Sequence, residues 1–528
     1  MTVYNINHGI GWASSGVEYA QAYRGSVLRK LGIDAKFIFT DFFSADNIIS
    51  LTRNIGFQDK EIIWLYNFFS ADNIISLTRN IGFQDKEIIW LYNFFSDIEL
   101  APTTFSIEDL QKQYLGKLVR KEDRGRVIKF FYEDENIYLT VYLDNFNKDK
   151  VHRVEIVSNN NLIRKDYYSY TRTFSEYYYP KDGVAHLYQR RFYNEDESTA
   201  FLEMVENSSS RFIINGRLLP SKVAFFDYFL ESMTFTSKDI ILLDRGTDTA
   251  QSLLRHGKPA KLGTVVHAEH FSENAVTADT ILWNNYYDYQ FTNANRFDFF
   301  ITSTDKQTEL LEQQFKQFTN HNPRIITIPV GSIDNLKMPM DNRRPYSILT
   351  ASRLASEKHV DWLVRAVIRI REILPEVTFD IYGSGGEEEK IRNIINAANT
   401  TEYIRLMGHR NLSNVYQNYE LYLTASKSEG FGLTLLEAIG AGLPLIGFDV
   451  RYGNQTFIKD GENGYLIPRF DMDDEEAIVE AFKEKVLQLF QQDQKALREA
   501  SYAIAEGFLT SEVEGKWYNL VKELVQDD

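Results

Sequence analysis

The chain has no cysteine among its 528 residues. That absence removes disulfides, thiolate metal sites and cysteine nucleophiles from consideration, and it suits a reducing compartment. No stretch approaches the roughly 20 apolar residues that a membrane-spanning helix needs. The opening letters, MTVYNINHGIGWASSG, lack the basic segment and the long apolar segment of a signal peptide, so a cytoplasmic protein is expected. Positive charge is in deficit: 58 Lys and Arg against 74 Asp and Glu leave a formal net charge of −16. Such a field disfavours nucleic acid as a partner unless a local basic cleft overrides it. Three motifs are missing as well. There is no H-E-x-x-H helix for zinc, no clustered Asp-x-Asp where a nucleotide–metal site would need it, and no G-x-G-x-x-G fingerprint of a dehydrogenase.

What remains is a globular composition, 44% hydrophobic and 25% charged, in a length that suggests roughly two to four domains. An apolar strand at Val3 to Ile6, a glycine-rich loop, a helical stretch from Val17 to Leu31 and the strand AKFIFT open a parallel β/α layer. From about Val127 to Ile213 short alternating strands such as VIKFFY, IYLTVYL and VHRVEIV predict an antiparallel meander inserted into that layer. Its tyrosines, among them Tyr167, Tyr168, Tyr170, Tyr177, Tyr178 and Tyr179, fit either a thick core or a docking surface for another protein. Parallel character resumes at DIILLD, GTVVHAEH and FFITST, and a second series runs from YSILTASRLASEKHVDWLVRAV through TFDIYGSGG, IRLMG, LYLTAS and PLIGF. Two such series, joined near Pro329 to Asp341, predict an α/β protein of two doubly wound Rossmann-like domains facing a cleft. The expected divisions are 1–41 and 239–332 for the first domain, 42–238 for a duplicated unit and the β insertion, and 333–528 for the second domain, whose last helices cross back.

The densest chemical signal is SEGFGLTLLEAIGAGLPLIGFD, from Ser428. Glu429 and Glu437 stand eight apart, and Gly430, Phe431 and Gly432 between them can offer backbone amides to a ligand at a helix start. Two glutamates there also fit a plain dipole arrangement. Upstream, in ASRLASEKHVDWL, Arg353 follows an apolar strand and Lys358 opens the next helix, so both can point at one anion such as a pyrophosphate. A solvated face accounts for them equally. Two charge-assisted bonds of roughly 1.5–3 kcal/mol each would stabilise a departing diphosphate without a divalent cation, so no metal or other cofactor is expected. In the N-terminal loop, Gly9-Ile10-Gly11 with Trp12 to Ser15 and Gly16-Val17-Glu18 make either a tight turn or a close backbone approach to a nucleotide. His267 ends the strand GTVVH and is either a sugar contact or a structural histidine; with Glu269 and His270 it lacks a third zinc ligand.

Gly16-Val17-Glu18, His267, Arg353 with Lys358, and Glu429 to Glu437 together resemble the retaining nucleotide-sugar glycosyltransferases of family 4, whose fold is GT-B. Within that family the stretches NINHGIGWASSGVEYAQAYR, VVHAEHFSENA, ILWNNYYDYQFTNA and YGNQTFIKDGENGYLIP are similar to the catalytic subunits of accessory-Sec glycosyltransferases, over essentially the whole chain. The resemblance implies transfer of N-acetylglucosamine from UDP-GlcNAc to serine or threonine hydroxyls of a serine-rich-repeat adhesin before export. It also implies a catalytically silent partner subunit of similar fold, and peripheral association with the membrane. By motif, Gly16, Val17, Glu18 and Tyr19 would touch the UDP, His267 the sugar, Arg353 and Lys358 the diphosphate, and His409 and Arg410 the uracil. Glu429 with Gly430, Phe431 and Gly432 would hold the sugar, and Glu437 the ribose. The competing readings are a poly(ribitol phosphate) N-acetylglucosaminyltransferase and a non-catalytic partner subunit. The first asks a −16 protein to bind a polyanion; the second has no use for a complete diphosphate clamp.

One feature departs from that family. The twenty-six letters FFSADNIISLTRNIGFQDKEIIWLYN fill Phe42 to Asn67 and again Phe68 to Asn93, followed by a third FFS. The unit reads as a helix with Ser44 or Asp46 as N-cap and Gly56 near its stop, then a buried strand EIIWLYNFF. Two identical copies do not make a solenoid. One copy is expected in the native slot, with the other a protrusion outside the chemistry.

Overall fold

Strands that read as continuous apolar runs are buried on both faces, and here they form the centre of parallel layers. The computed structural model describes residues 1–8, 16–42, 83–99, 101, 103–114, 118–133, 136–144, 149–206, 209–338, 343–470, 472 and 474–526. It divides into two units, Met1–Leu262 and Gly263–Asp528. In the first unit the parallel strands Ile240–Leu243, Thr2–Asn7, Asp34–Phe39 and Ile88–Trp90 lie side by side in that order. The helix Gly16–Lys30 connects the second to the third, with Glu18 in its first turn and Arg29 and Lys30 in its last, each sign matched to the helix dipole. Arg24 on this helix grips buried Asp244 through bonds of 2.7 and 3.0 Å, while Asn5 and Gln21 take the remaining donors and acceptors. A buried ion pair is tolerated only when its hydrogen bonds are completed in this way.

The β insertion is a meander. Among the described residues, ten strands from Leu118–Asp123 to Arg217–Leu219 pair antiparallel, each with its sequence neighbour. The register aligns Tyr167 with Phe174, Phe174 with Phe192 and Phe192 with Phe201. Their rings stack at 4.2, 5.5 and 4.2 Å, so one rung of cross-strand pairs becomes an aromatic ladder. Tyr167 and Tyr168 are core residues at 3% and 2% exposure, whereas Tyr179 is 46% exposed, so the tyrosines divide between the two expectations.

The end of the second copy, from Phe83 to Asn93, lies among the described residues. Phe83 packs on Phe37 at 4.6 Å, Glu87 takes Arg29 at 2.7 Å, and the Trp90 indole donates to the Asp41 carbonyl at 2.9 Å. The second copy therefore supplies the edge strand. The strand covers only Ile88–Trp90, shorter than the predicted EIIWLYNFF. Leu91 and Tyr92 are buried but lie in a turn, where the N–H groups of Asn93 and Phe94 return to the Trp90 carbonyl. The helix expected in either copy, with Ser44, Asp46 and Gly56, lies outside the described residues, as do Gly9 to Ser15.

The second unit begins within the strand Lys261–Val266, at Gly263, and holds the parallel strands Phe299–Thr302 and Ile325–Thr327 and then a six-stranded parallel sheet. Its order is Ile404–Gly408, Thr378–Tyr382, Ser347–Ala351, Leu421–Thr424, Leu445–Phe448, Gly464–Ile467. Numbered along the chain this is 3-2-1-4-5-6, the doubly wound order whose switch point lies between its first and fourth strands. The amphipathic helix Val360–Ile373 covers one face, and the last helix, Thr510–Gln526, returns to Ser332, whose hydroxyl is 2.8 Å from that of Thr510.

Removing Phe68 to Asn93 places the identical letters 61–67 where 87–93 now stand. The deletion variant is expected to keep its melting temperature and its activity, since shortening a connection changes loop entropy by only about 0.6 kcal/mol per halving. A folded but inactive deletion variant overturns this assignment.

Candidate functional site

The switch point brings two loops together. After Ser347–Ala351 the chain passes Arg353 and makes a short turn, Ser356–Lys358, before its helix; after Leu421–Thr424 it passes Glu429 to Gly432 and enters the helix Leu433–Gly440. Lys358 Nζ donates to Glu429 Oε2 at 2.7 Å across this junction, with the two side chains 18% and 22% exposed. Arg353 does not share that carboxylate. It pairs with Glu357 at 2.8 Å and is 70% exposed. An exposed pair of this kind is worth about 0.2–1 kcal/mol, so Arg353 can be recruited to an anion at small cost.

Gly432 caps the helix with φ near +88°, a left-handed conformation that glycine adopts freely. Gly430 stands against the carbonyl of His267: a Cβ there would meet it at 2.9 Å. His267 follows its strand, and its backbone N–H donates to the Tyr287 hydroxyl at 3.0 Å. Glu437 lies along the helix, where its Oε2 accepts from Tyr416 at 2.8 Å. Phe431 is buried beneath the loop, edge-on to Phe457 at 5.3 Å. His409 and Arg410 are exposed just past Ile404–Gly408, and Arg410 Nε donates to the Met407 carbonyl at 2.9 Å. Lys358, Glu429, Gly430, Gly432 and His267 are thus gathered by contacts within the second unit. Gly16, Val17, Glu18 and Tyr19 open the helix Gly16–Lys30 of the first unit; Val17 and Glu18 are buried there, and Gly16 and Tyr19 are exposed. Among the described residues no cluster of three His, Cys, Asp or Glu side chains could hold a metal, and no helix is long and apolar enough to cross a membrane.

Comparison with known proteins bears on this arrangement. The family described as the GtfA extended beta-sheet domain matches residues 120–216, and Glycosyl transferases group 1 matches 339–504. The UDP-N-acetylglucosamine–peptide N-acetylglucosaminyltransferase GtfA subunit of Streptococcus pneumoniae is 51% identical, with 100% of both chains covered. The chain belongs to the GtfA subunit family. A crystal structure of the pneumococcal O-GlcNAc transferase GtfA with UDP and GlcNAc matches with TM-score 0.84 and 51% identity over 99% of each chain. That of a GtfA/B complex matches with TM-score 0.91 and 50% identity over 100% of each. The poly(ribitol-phosphate) alpha-N-acetylglucosaminyltransferase of Staphylococcus aureus is 27% identical over 76% of this chain and 75% of its own. The fold is accordingly GT-B, with the antiparallel sheet as its addition.

In this GtfA-family chain the loop carrying Glu429 has a support that sequence reasoning did not single out. Tyr452 N–H and Gly453 N–H both donate to the Glu429 carbonyl, at 2.7 and 2.8 Å, and Glu429 N–H donates to the Arg451 carbonyl at 3.2 Å. A Cβ on Gly453 would meet the Phe431 carbonyl at 2.1 Å, so only glycine permits that approach. The Tyr452 hydroxyl lies 2.9 Å from His270 Nδ1 and 3.2 Å from Glu269 Oε1, and Arg451 pairs with Glu269 at 3.3 Å. His270 Nε2 meets Gln314 Oε1 at 2.7 Å; with Nε2 as donor there, Nδ1 is the acceptor for Tyr452. In the sequence the network shows only as two unconnected stretches, HAEH and YGNQTF, because Tyr452 and His270 are 182 positions apart.

Burial pushes the His270 pKa down to about 4, so the folded chain keeps it neutral. Between that value and an unfolded pKa of about 6.5 the unfolded chain binds the extra proton. Stability is therefore complete above about pH 6.5 and falls as the pH drops toward 4, by on the order of 3 kcal/mol from this group. Thermal melts at pH 7.5 and pH 5 should show the loss, and His270→Gln should reduce it; equal slopes in the two proteins would refute the assignment.

Proposed function

We propose that this chain is the catalytic subunit of a retaining glycosyltransferase that moves N-acetylglucosamine from UDP-GlcNAc to serine and threonine hydroxyls of a serine-rich-repeat polypeptide. The observation that carries the reading is the Lys358–Glu429 pair at the switch point, in a chain that matches peptide N-acetylglucosaminyltransferase subunits over its full length. Lys358 has three N–H donors and spends one on Glu429, leaving two for phosphate oxygens. Arg353, released from Glu357, adds its fork. As the glycosidic bond breaks, these cations take up the charge developing on the diphosphate, which is the main catalytic contribution. The acceptor hydroxyl attacks from the face that the leaving group vacates, so the α configuration is kept. Glu429 positions Lys358 and the sugar, His267 contacts the sugar, His409 and Arg410 lie beside the uracil, and Glu437 takes the ribose hydroxyls. Gly16 to Tyr19 contact the UDP, through the exposed Gly16 and Tyr19 and the amides of the helix start.

The partner in this reading is a related, catalytically silent subunit, as in the GtfA/B complex of the similar chain. The setting is the cytoplasm, with peripheral association with the membrane; a cysteine-free chain suits a reducing compartment. Transfer needs no divalent cation, because Lys358 and Arg353 supply the positive charge at the diphosphate.

Incubation with UDP-GlcNAc, the partner subunit and a serine-rich peptide should add N-acetylhexosamine increments to the peptide by mass spectrometry; transfer to poly(ribitol phosphate) alone overturns the reading. Glu429→Gln should lower kcat by about 10²–10³-fold, the range for losing one preorganised electrostatic contact, while UDP affinity stays within a few-fold. Wild-type turnover in that variant removes Glu429 from the mechanism. Excess chelator should leave the rate unchanged, and a rate restored only by added magnesium or manganese sinks the metal-free mechanism.

A further inference from the structure

Tyr452 is 1% exposed, and its two ends serve different partners. Its backbone N–H, together with that of Gly453, donates to the Glu429 carbonyl at 2.7 and 2.8 Å. Its hydroxyl, at the far end of the ring, lies 2.9 Å from His270 Nδ1 and 3.2 Å from Glu269 Oε1. The residue therefore spans from the loop that carries Glu429 to the segment that carries His267, entirely within the second unit.

Three observations make the hydroxyl the part that sets this span. Its partner is immobile. His270 is fully buried, its other ring nitrogen is 2.7 Å from Gln314 Oε1 on the helix Asp305–Phe318, and its ring is 6.2 Å from those of Trp283 and Phe291. The second observation is that the ring contact alone does not fix the tyrosine. The Tyr452 and His270 rings are inclined by only 13° with centroids 5.7 Å apart, an offset stack that tolerates sliding, whereas a hydrogen bond is directional. The third is the lack of slack on either side of the Glu429 loop. A Cβ on Gly430 would meet the His267 carbonyl at 2.9 Å, and one on Gly453 would meet the Phe431 carbonyl at 2.1 Å. The His267 N–H is itself held by the Tyr287 hydroxyl at 3.0 Å. A displaced Tyr452 thus changes the spacing between Glu429 and His267.

We propose that Tyr452 is a positioning residue for sugar transfer: its hydroxyl, anchored on His270, holds Glu429 at the distance from His267 that the reaction requires. Being buried, it acts through the Glu429 backbone. The inference rests on the roles proposed above for Glu429 and His267. A misplacement of about 1 Å costs on the order of 10²-fold in rate, while nucleotide binding, which draws on other loops, is spared.

The test measures kcat, the KM for UDP-GlcNAc and the Kd for UDP on the complete complex with a serine-rich peptide, well below the melting temperature of every variant. Tyr452→Phe, which keeps ring and backbone, should lower kcat about 10–10²-fold and leave KM and Kd within about 2-fold. Two changes at His270 separate positioning from stability, since both replace the imidazole by an amide. His270→Asn places an amide oxygen near the site of Nδ1 and keeps an acceptor for Tyr452; His270→Gln places its amide near the site of Nε2 and loses that acceptor. His270→Asn should hold kcat within about 3-fold of the wild type. His270→Gln should match Tyr452→Phe, with no further loss when the two are combined. Tyr465→Phe removes another buried hydroxyl, one that accepts from Gln492, and should leave kcat unchanged. Wild-type kcat in Tyr452→Phe, an equal loss in Tyr465→Phe, an equal loss in both His270 variants, or a loss confined to KM overturns the positioning role. If Tyr452→Phe does not fold, the contrast between the two His270 variants decides alone. Wild-type turnover in Glu429→Gln overturns the reading on which the inference rests, whereas an impaired Glu429→Gln beside a fully active Tyr452→Phe overturns only the role of Tyr452.

Discussion

Lys358 and Glu429 meet at 2.7 Å across two loops that are 71 residues apart, and the geometry of the second unit's site depends on that contact. It exists because the 3-2-1-4-5-6 strand order sets the carboxyl ends of the first and fourth strands side by side. Each loop delivers one charge, and neither charge is fully hydrated, so each holds the other in place. Arg353 shows the contrast. Its pair with Glu357 spans one turn in water and is easily exchanged for a stronger anion. Two cations that look equivalent in ASRLASEKH are therefore unequal: one is pinned to the loop that it serves, and the other is free to swing.

Glu429 is held from behind as well as in front. The backbone of Arg451 to Gly453 pairs with it, and Tyr452 carries that segment to His270 and Glu269, beside the carbonyl of His267 that faces Gly430. The chain thus links the His267 turn to the Glu429 loop through the buried Tyr452 and His270, whose displacement would leave a buried polar group unpaired. The first unit uses the same device where Arg24 and Asp244 lock the first helix to the sheet. Its insertion relies on register instead: one rung of the meander aligns four aromatic rings, and Phe42 joins Phe174 and Phe192 at 5.5 and 5.9 Å.

Much of this was legible in the letters. Helix Gly16–Lys30, the meander and the parallel strands follow from apolar periodicity, and Gly430 and Gly432 marked a backbone that must come close to something. Elsewhere the letters misled. Leu91 and Tyr92 are as apolar and as buried as strand residues, yet a turn buries them, so burial was legible and its geometry was not. Glu18 gave no sign in the letters that the first turn of its helix buries it. The stretch that Tyr452 opens carried the family resemblance but not the residue's role, which takes on meaning only when its partner, 182 residues away, is known.

By itself the sequence determined the element types, the two parallel series, the inserted meander and the family, since each rests on local periodicity or on motifs a few residues long. Tertiary structure alone decided which carboxylate each cation meets, which half of the first helical turn faces solvent, and which backbone carbonyl holds the Glu429 loop from behind. These are contacts of about 3 Å between residues far apart in the chain, and a shift of an ångström makes or breaks them.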